Sequence, residues 1–233
     1  MEIKRTILVG DIHGCIDEFE ELLTTISYDR LTDRLILLGD LIDRGPASAE
    51  VVRRARELDL ECVMGNHEFQ FMKWYRSNKQ VYDTKPHYGQ LSDEDVSYIA
   101  RMPSYIKLDN AIAVHAGLRP NLDIEKQTKN DCLFLRYTDI NGNFISLTKI
   151  HELGKEALGA HFWTEFWKGP ESIIYGHNVH SFSDPLIEEV MPGVTCYGLD
   201  TGCCFGGKLT ALILETKQII QIPAKRIYYQ SRI

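Results

Sequence analysis

The sequence lacks any long hydrophobic run. Its tightest apolar stretch is Leu35–Leu38, far short of the ~18 residues that a membrane-spanning helix needs. The apolar start of the chain is interrupted by Asp11 and His13, so it contains no signal-peptide core. Internal repeats, low-complexity segments and an obvious linker are also absent. We therefore expect one domain over residues 1–233, with no membrane partner.

An excess of positive charge is absent as well, because 26 Lys and Arg residues are outnumbered by 33 Asp and Glu residues. The net charge of -7 argues against a protein that coats nucleic acid. It does not exclude an anionic substrate, since bound metal ions can supply positive charge locally. None of the six cysteines belongs to a CxxC pair, so we expect reduced thiols in a cytoplasmic protein.

Short apolar runs alternate with longer amphipathic stretches, a pattern that predicts an α/β or α+β fold. The periodicity predicts one helix over Cys15–Ile26 and another over Glu152–Trp167. Ser92 followed by Asp95 indicates a further helix start of the capping-box kind. The predicted strands are Thr6–Val9, Arg34–Leu38, Glu61–Met64, Ala111–Val114, Ile173–Tyr175, Cys196–Leu199, Lys208–Glu215 and Gln218–Ile222.

Polar side chains that can bind metal follow the first five of these strands. Ligands gather at the carboxyl ends of strands in sheet-and-helix proteins, so these side chains are expected to meet in one place. Flanking glycines would let the backbone turn sharply and approach a ligand closely. The candidate residues are Asp11, His13, Asp40, Asn66, His115 and His177.

This donor set combines carboxylate, amide oxygen and imidazole. Such a mixture suits borderline divalent metals such as Mn, Fe, Zn or Co better than Ca or Mg, and the missing thiolates argue against a structural zinc site. Six ligands are too many for one catalytic ion, but they fit two ions that share a carboxylate. A two-metal pair can hold a hydroxide and clamp phosphate oxygens during in-line attack.

Each motif has an ordinary explanation when it is taken alone. Asp11 and His13 could belong to a turn or a helix cap, Asn66 could start a helix, and His115 or His177 could be packed in a core. The functional interpretation rests on the occurrence of all five strand-end motifs in one chain.

These residues resemble the calcineurin-like metallophosphoesterases, and within them the phosphoprotein phosphatase superfamily. That family's signature consists of GDxHG, GDxxDRG, GNHE, a later HxG and a later GH. Here the five motifs stand at residues 10–14, 39–45, 65–68, 115–117 and 176–177. The resemblance implies a central two-layer β-sandwich flanked by helices, with a dinuclear metal site at the carboxyl ends of the strands.

The same resemblance implies a role for each ligand. Asp11 and His13 would bind the first metal, and Asp40 would bridge both. The second metal would be held by Asn66, His115 and His177. Manganese is the first choice for both ions, with iron, zinc, cobalt and nickel as the other candidates.

Further residues of these motifs would act on the substrate. His67 would be the general acid and Asp43 would orient it, a task suited to a carboxylate beside an imidazole. Arg44 would bind phosphate oxygens through its planar fork, with Asn66 contacting the phosphate as well. Arg136 is our candidate for the second phosphate-binding arginine that is usual in this family.

The segment Tyr197–Leu212 resembles the symmetrical diadenosine tetraphosphatases and the wider ApaH-like group. The implied activity is hydrolysis of dinucleoside polyphosphates, with diadenosine tetraphosphate giving two ADP. The alternative is a broad-specificity protein Ser/Thr phosphatase, and a third possibility is an inactive scaffold that retains the fold for binding. Capped RNA is a further candidate substrate because its bridge is chemically similar. Self-association is left open.

Overall fold

The computed structural model describes residues 3–77 and 86–230. Its α-helices are α1 Ile16–Thr25, α2 Ser48–Glu57, α3 Asn66–Arg76, α4 Asp93–Ala100, α5 Lys129–Phe134, α6 Leu147–Leu153 and α7 Lys155–Leu158. The first strands are β1 Arg5–Val9, β2 Asp33–Leu37, β3 Glu61–Cys62, β4 Tyr105–Lys107, β5 Ala111–Val114, β6 Tyr137–Thr138 and β7 Phe144–Ile145. The remaining strands are β8 His161–Phe162, β9 Ser172–Tyr175, β10 Leu186–Met191, β11 Val194–Gly198, β12 Lys208–Ile213 and β13 Gln218–Pro223.

Two five-stranded mixed sheets form the centre of the molecule. The first has the order β13-β12-β1-β2-β3, and the second has the order β10-β11-β9-β5-β4. β1, β2 and β3 are parallel to one another in the first sheet. β5, β9 and β11 are parallel in the second. Each sheet therefore has three parallel strands whose carboxyl ends lie at one edge.

The central strands are buried on both faces, which explains why they are continuously apolar rather than alternating. In β1, Ile7 and Val9 pack with the helices, whereas Leu8 packs into the cluster between the two sheets. In β9, Ile174 enters the same central cluster, while Tyr175 faces the outer side of the second sheet. This alternation confirms the predicted mixed α/β fold with a two-layer sandwich.

Helices α1 to α4 contribute to the core on the outer face of the first sheet. The predicted helix over Cys15–Ile26 is confirmed as α1, which buries Phe19 and Leu22. The predicted capping box is also confirmed, because the Ser92 hydroxyl accepts the N–H of Asp95 at the start of α4. No helix within the described ranges combines the length and apolar composition required to cross a bilayer.

The prediction of one helix over Glu152–Trp167 is wrong. The chain instead forms α6, α7, β8 and the 3₁₀ helix Trp163–Phe166. Gly154 and Gly159 have φ of 81° and 54°, and these left-handed conformations end the short helices. Trp163 is fully buried in the outer core of the second sheet. Packing of this ring therefore overrides the helical periodicity of the segment.

Candidate metal centre

The loops that follow the parallel strands of both sheets converge. The backbone N–H of His177, after β9, donates to Asp11 Oδ1, after β1, at 2.9 Å. The side-chain oxygen Oδ1 of Asn66, after β3, lies 2.9 Å from Nε2 of His115, after β5. The structure thus brings together the strand ends that the sequence singled out, although they are up to 166 residues apart.

Asp40 lies at the centre of this cluster. Its Oδ2 is 3.5 Å from His13 Nε2, and its Oδ1 is 3.5 Å from His115 Nε2. On the side of Asp40 that faces His115, His177 Nδ1 lies 3.1 Å from His115 Nε2. Two donor groups, each spanning less than 4.8 Å, therefore share Asp40; they are His13, Asp40 and His67, and Asp40, His115 and His177.

The imidazoles of His13 and His115 are oriented by backbone carbonyls. Nδ1 of His13 lies 2.8 Å from Ile42 O, and Nδ1 of His115 lies 2.7 Å from Leu38 O. Because a carbonyl only accepts, each Nδ1 carries the proton and each Nε2 presents its lone pair to the site. This is the arrangement found at metal-binding histidines.

Several lone pairs consequently face one another in a dry environment. His115 Nε2 and Asn66 Oδ1 are both acceptors at 2.9 Å, and such a pair is favourable only next to a cation. Asp11 Oδ2 is buried and has no hydrogen-bond partner within the described part of the chain. The donor atoms therefore fit divalent ions, as the family resemblance implies.

The electrostatics of the cluster also favour bound cations. Burial, followed by the nearby Asp200 and Asp40 carboxylates, raises the pKa of Asp11 well above its usual value. Burial and the Arg44 guanidinium lower the pKa of His13 well below its usual value. Neutral imidazoles are the form that binds metal, whereas neighbouring buried carboxylates require positive charge to remain ionised together.

Backbone strain is concentrated at this centre. Within the described residues, eight non-glycine residues have positive φ, and five of them belong to the predicted site. Such conformations cost roughly 1–3 kcal/mol each and persist where the surroundings enforce them. The five site residues are His13, Asp40, Asp43, Arg44 and His177, with φ of 47°, 51°, 72°, 68° and 64°.

The predicted substrate-directed residues line the same centre. His67 Nδ1 contacts Asp43 Oδ2 in a short hydrogen bond, and His67 Nε2 lies 3.7 Å from Asp40 Oδ2. Arg44 donates through Nη1 to His13 Nε2 at 2.6 Å. Arg136 reaches the opposite donor group, donating through Nε to His177 Nε2 at 3.2 Å. Both arginines are therefore adjacent to the proposed metal ligands.

Glu68 completes the GNHE motif and is a site residue beyond those predicted from the sequence. Its buried carboxylate accepts the backbone N–H groups of Asp40, Leu41 and Ile42 at 2.8, 2.8 and 3.2 Å. It also accepts the N–H of Gly65 at 3.1 Å. Glu68 thereby ties the loop that carries Asp40 to the start of α3.

Glu68→Gln should destabilise the fold by about 2–5 kcal/mol, because an amide nitrogen would replace one oxygen that accepts buried N–H groups. Urea unfolding of the metal-free chain, followed by circular dichroism, measures this change. Glu21→Gln on the exposed side of α1 is the matched control, for which we expect less than about 0.5 kcal/mol. Equal stability of the two variants would contradict the role given to Glu68.

Asp200 is the second site residue beyond those predicted from the sequence. It follows β11, a sixth strand end with the same pattern of an apolar strand and a polar residue, and that pattern could have identified it. Burial raises the pKa of its carboxyl to about 6, against the lowering effect of the Gly202 N–H and the Arg44 guanidinium. Asp200 therefore adds another buried carboxyl beside Asp11 and both arginines.

Gly176→Ala should abolish high-affinity metal binding, because a Cβ at this position would stand 2.1 Å from Asp11 Oδ1. The aspartate would have to leave the cluster or the β9 loop would have to shift. Gly89→Ala is the control, since a Cβ there meets no atom within 4 Å. Metal content after dialysis distinguishes the variants, and full occupancy in Gly176→Ala would contradict this packing.

The chain is similar to known proteins over most of its length. The profile of the calcineurin-like phosphoesterase family matches residues 4–207. The symmetrical bis(5'-nucleosyl)-tetraphosphatase of Baumannia cicadellinicola subsp. Homalodisca coagulata is 32% identical, covering 95% of this chain and 93% of its own. The asymmetrical bis(5'-nucleosyl)-tetraphosphatase PrpE of Oceanobacillus iheyensis is 29% identical, covering 94% and 92%.

A solved structure of a protein provisionally named a diadenosine tetraphosphatase superimposes with a TM-score of 0.80 and 28% identity, covering 94% of this chain and 93% of that one. The sequence match and the structural match thus extend over nearly the whole molecule. The chain belongs to the calcineurin-like phosphoesterase family and is a metal-dependent phosphoester hydrolase.

Proposed function

We propose that this chain hydrolyses dinucleoside polyphosphates and cuts diadenosine tetraphosphate symmetrically into two ADP. The observation that carries the proposal is Asp40, which directs one carboxylate oxygen towards each of two donor groups. Sequence similarity over nearly the whole chain, at 31–32% identity, to relatives named as symmetrical tetraphosphatases supports the substrate class.

Two divalent ions, with manganese as the first choice, would be held by this cluster. Asp11, His13 and Asp40 would hold one ion, and Asp40 would share the other with Asn66, His115 and His177. His67, which lies in the first donor group with His13 and Asp40, would be left to act on the substrate. When bound, such a pair supplies Lewis acidity that polarises phosphate oxygens and acidifies water. The remaining chemistry is assigned to the side chains around it.

His67 is proposed to donate the proton that the leaving phosphate oxygen requires. Its Nδ1 is engaged by Asp43, so only Nε2 is available to the substrate. The buried carboxylate of Asp43 at Nδ1 holds the ring in one orientation. Water adds to one inner phosphorus and releases a proton, and the bond from that phosphorus to the central bridging oxygen breaks. The bridging oxygen leaves with the second ADP and takes a proton from His67, which regains one from solvent, so one water is consumed and two ADP are formed.

Arg44 and Arg136 are proposed to bind the phosphate oxygens from two sides. Arg44 lies beside His13, whereas Arg136 lies beside His177. The guanidinium fork matches the geometry of phosphate oxygens. Both charges act where negative charge accumulates as the bond to the leaving group breaks.

Product analysis tests the proposal. The purified chain, supplied separately with Mn, Co, Ni or Mg, is incubated with diadenosine tetraphosphate or a phosphoserine peptide, and nucleotides are separated by ion-exchange chromatography. We expect ADP as the only nucleotide product. AMP together with ATP would contradict the symmetrical cut, and phosphate release from the peptide without nucleotide turnover would favour the protein phosphatase alternative. Capped RNA is tested as a further substrate in the same assay.

The cytoplasmic location expected from the sequence stays a prediction.

A further inference from the structure

A cavity of about 510 Å³ opens directly beside the second donor group. Arg136 and His177 line both this cavity and the metal centre. Its volume lies within the range of about 300–1,000 Å³ that is typical of small-molecule sites. A ligand that has a phosphate at the metal centre could therefore extend into the cavity without leaving the protein surface.

Helix α3 connects the cavity with the metal centre. Asn66, Phe69 and Lys73 are three and four residues apart, so they occupy one face of the helix. Asn66 points to His115 at the centre, and the next two residues along that face line the cavity. The opposite face is anchored in the core by Phe71 and Trp74.

Three phenylalanines form the apolar part of the lining. Phe69 and Phe134 meet edge-to-face, with ring centroids 6.3 Å apart, and Phe144 joins them from β7. All three rings are half-buried. Part of their surface is therefore available to a flat ligand, unlike that of the fully buried ring of Phe71.

The rim of the cavity is cationic, although the whole chain is acidic. Lys73 lines the cavity, and Lys129 lies next to the lining residue Asn130. Their Nζ atoms stand over the Phe69 ring, 4.7 and 5.1 Å from its centroid, so these two cations share the faces of that ring with any bound ligand. Within the described ranges, neither ammonium group forms an ion pair. Burial and the Arg76 charge lower the pKa of Lys129, as expected where cations gather without an acidic partner.

We propose that this cavity binds one nucleoside of the substrate, with the base against the phenylalanine rings. Lys73 and Lys129 then neutralise the phosphate that joins this nucleoside to the scissile bridge. Aromatic faces combined with cations are the features that bind nucleotides without strict sequence preference. The inference rests on the proposed function, and it names the part of the protein that selects a nucleotide over a simple phosphate ester.

The aromatic contact is tested with Phe69→Leu, which keeps an apolar side chain but removes the ring, and with Phe69→Tyr, which keeps it. For each variant, kcat/KM is measured for diadenosine tetraphosphate and for p-nitrophenyl phosphate. The value of kcat/KM for diadenosine tetraphosphate, divided by that for p-nitrophenyl phosphate, should fall about 5- to 100-fold in Phe69→Leu. The same ratio should be retained in Phe69→Tyr. An unchanged ratio in Phe69→Leu would overturn the proposal.

The charged contact is tested with the double variant Lys73→Gln/Lys129→Gln, which should raise KM for the dinucleotide and weaken its dependence on salt. Lys217→Gln is the control, because Lys217 lies in the β12–β13 turn at the opposite edge of the first sheet. Equal KM values for the double variant and the control would overturn the role of the lysines.

A competition assay separates this inference from the proposed function. ADP and pyrophosphate are compared as inhibitors of p-nitrophenyl phosphate hydrolysis. ADP should bind more tightly to the wild-type protein, and the difference should shrink in Phe69→Leu. If the wild-type protein cleaves no dinucleotide but is inhibited more strongly by ADP than by pyrophosphate, the proposed function is refuted and the nucleoside site is not. Equal inhibition by both compounds, or a loss of phosphopeptide turnover in Phe69→Leu without any nucleotide effect, would refute the nucleoside site.

Discussion

His67→Asn is expected to reduce kcat for an alkyl phosphate by roughly 10²–10⁴-fold, the usual contribution of a positioned general acid. An alkoxide is a poor leaving group and depends strongly on proton donation. The loss should be much smaller for p-nitrophenyl phosphate, whose leaving group departs without a proton. Steady-state kinetics with both esters measure this difference.

Two controls make the result specific. Metal content should be unchanged in His67→Asn, because His67 Nδ1 contacts Asp43 and the ring is not required by the proposed ligand sets. Asp43→Asn should give a smaller loss with the same leaving-group dependence, since it positions His67 rather than donating the proton. An equal loss for both esters would contradict general acid catalysis by His67.

Asp40→Asn is expected to weaken the binding of both ions together and to lower kcat by roughly 10²–10³-fold or more, because the two metals contribute several kcal/mol. The fold should persist. Asparagine keeps a side-chain oxygen that can accept the backbone N–H of His67, as Asp40 Oδ1 does at 3.0 Å, and the substitution removes one of several crowded acidic groups. Metal stoichiometry by mass spectrometry and isothermal titration calorimetry measures the effect.

Asp11→Asn is the matched comparison, because Asp11 belongs to only one proposed ligand set. We expect it to weaken one ion more than the other, so that the two variants differ in stoichiometry as well as in affinity. Two ions bound at full affinity in Asp40→Asn would show that Asp40 is not the bridge. Loss of a single ion in that variant would lead to the same conclusion.

Much of the fold was predictable because its signals are local. The five strand-end motifs are short, and each combines an apolar run with a glycine and a donor residue. The predicted α1 and the Ser92 capping box depend on residues no more than four positions apart, and both are confirmed. The sandwich followed from the family resemblance, and the two packed sheets confirm it.

The errors arose where distant contacts decide the structure. Glu152–Trp167 has helical periodicity, but Trp163 is buried against Tyr175 of β9, so the segment breaks into shorter pieces. Strand β10 was missed because the sequence of Leu186–Met191 shows neither a continuous apolar run nor an apolar–polar alternation, and its pairing with β11 supplies the order. Neither contact can be read from neighbouring residues.

The sequence by itself determined the family, the class of reaction and the identity of the candidate ligands, because each motif carries its donors within a few residues. Only the tertiary structure decided which donors share Asp40, how Glu68 holds that loop, and where the phenylalanine-lined cavity meets the centre. The physical reason is that these relations join residues from different strands of two sheets. Their distances depend on sheet pairing and core packing, which no local spacing encodes.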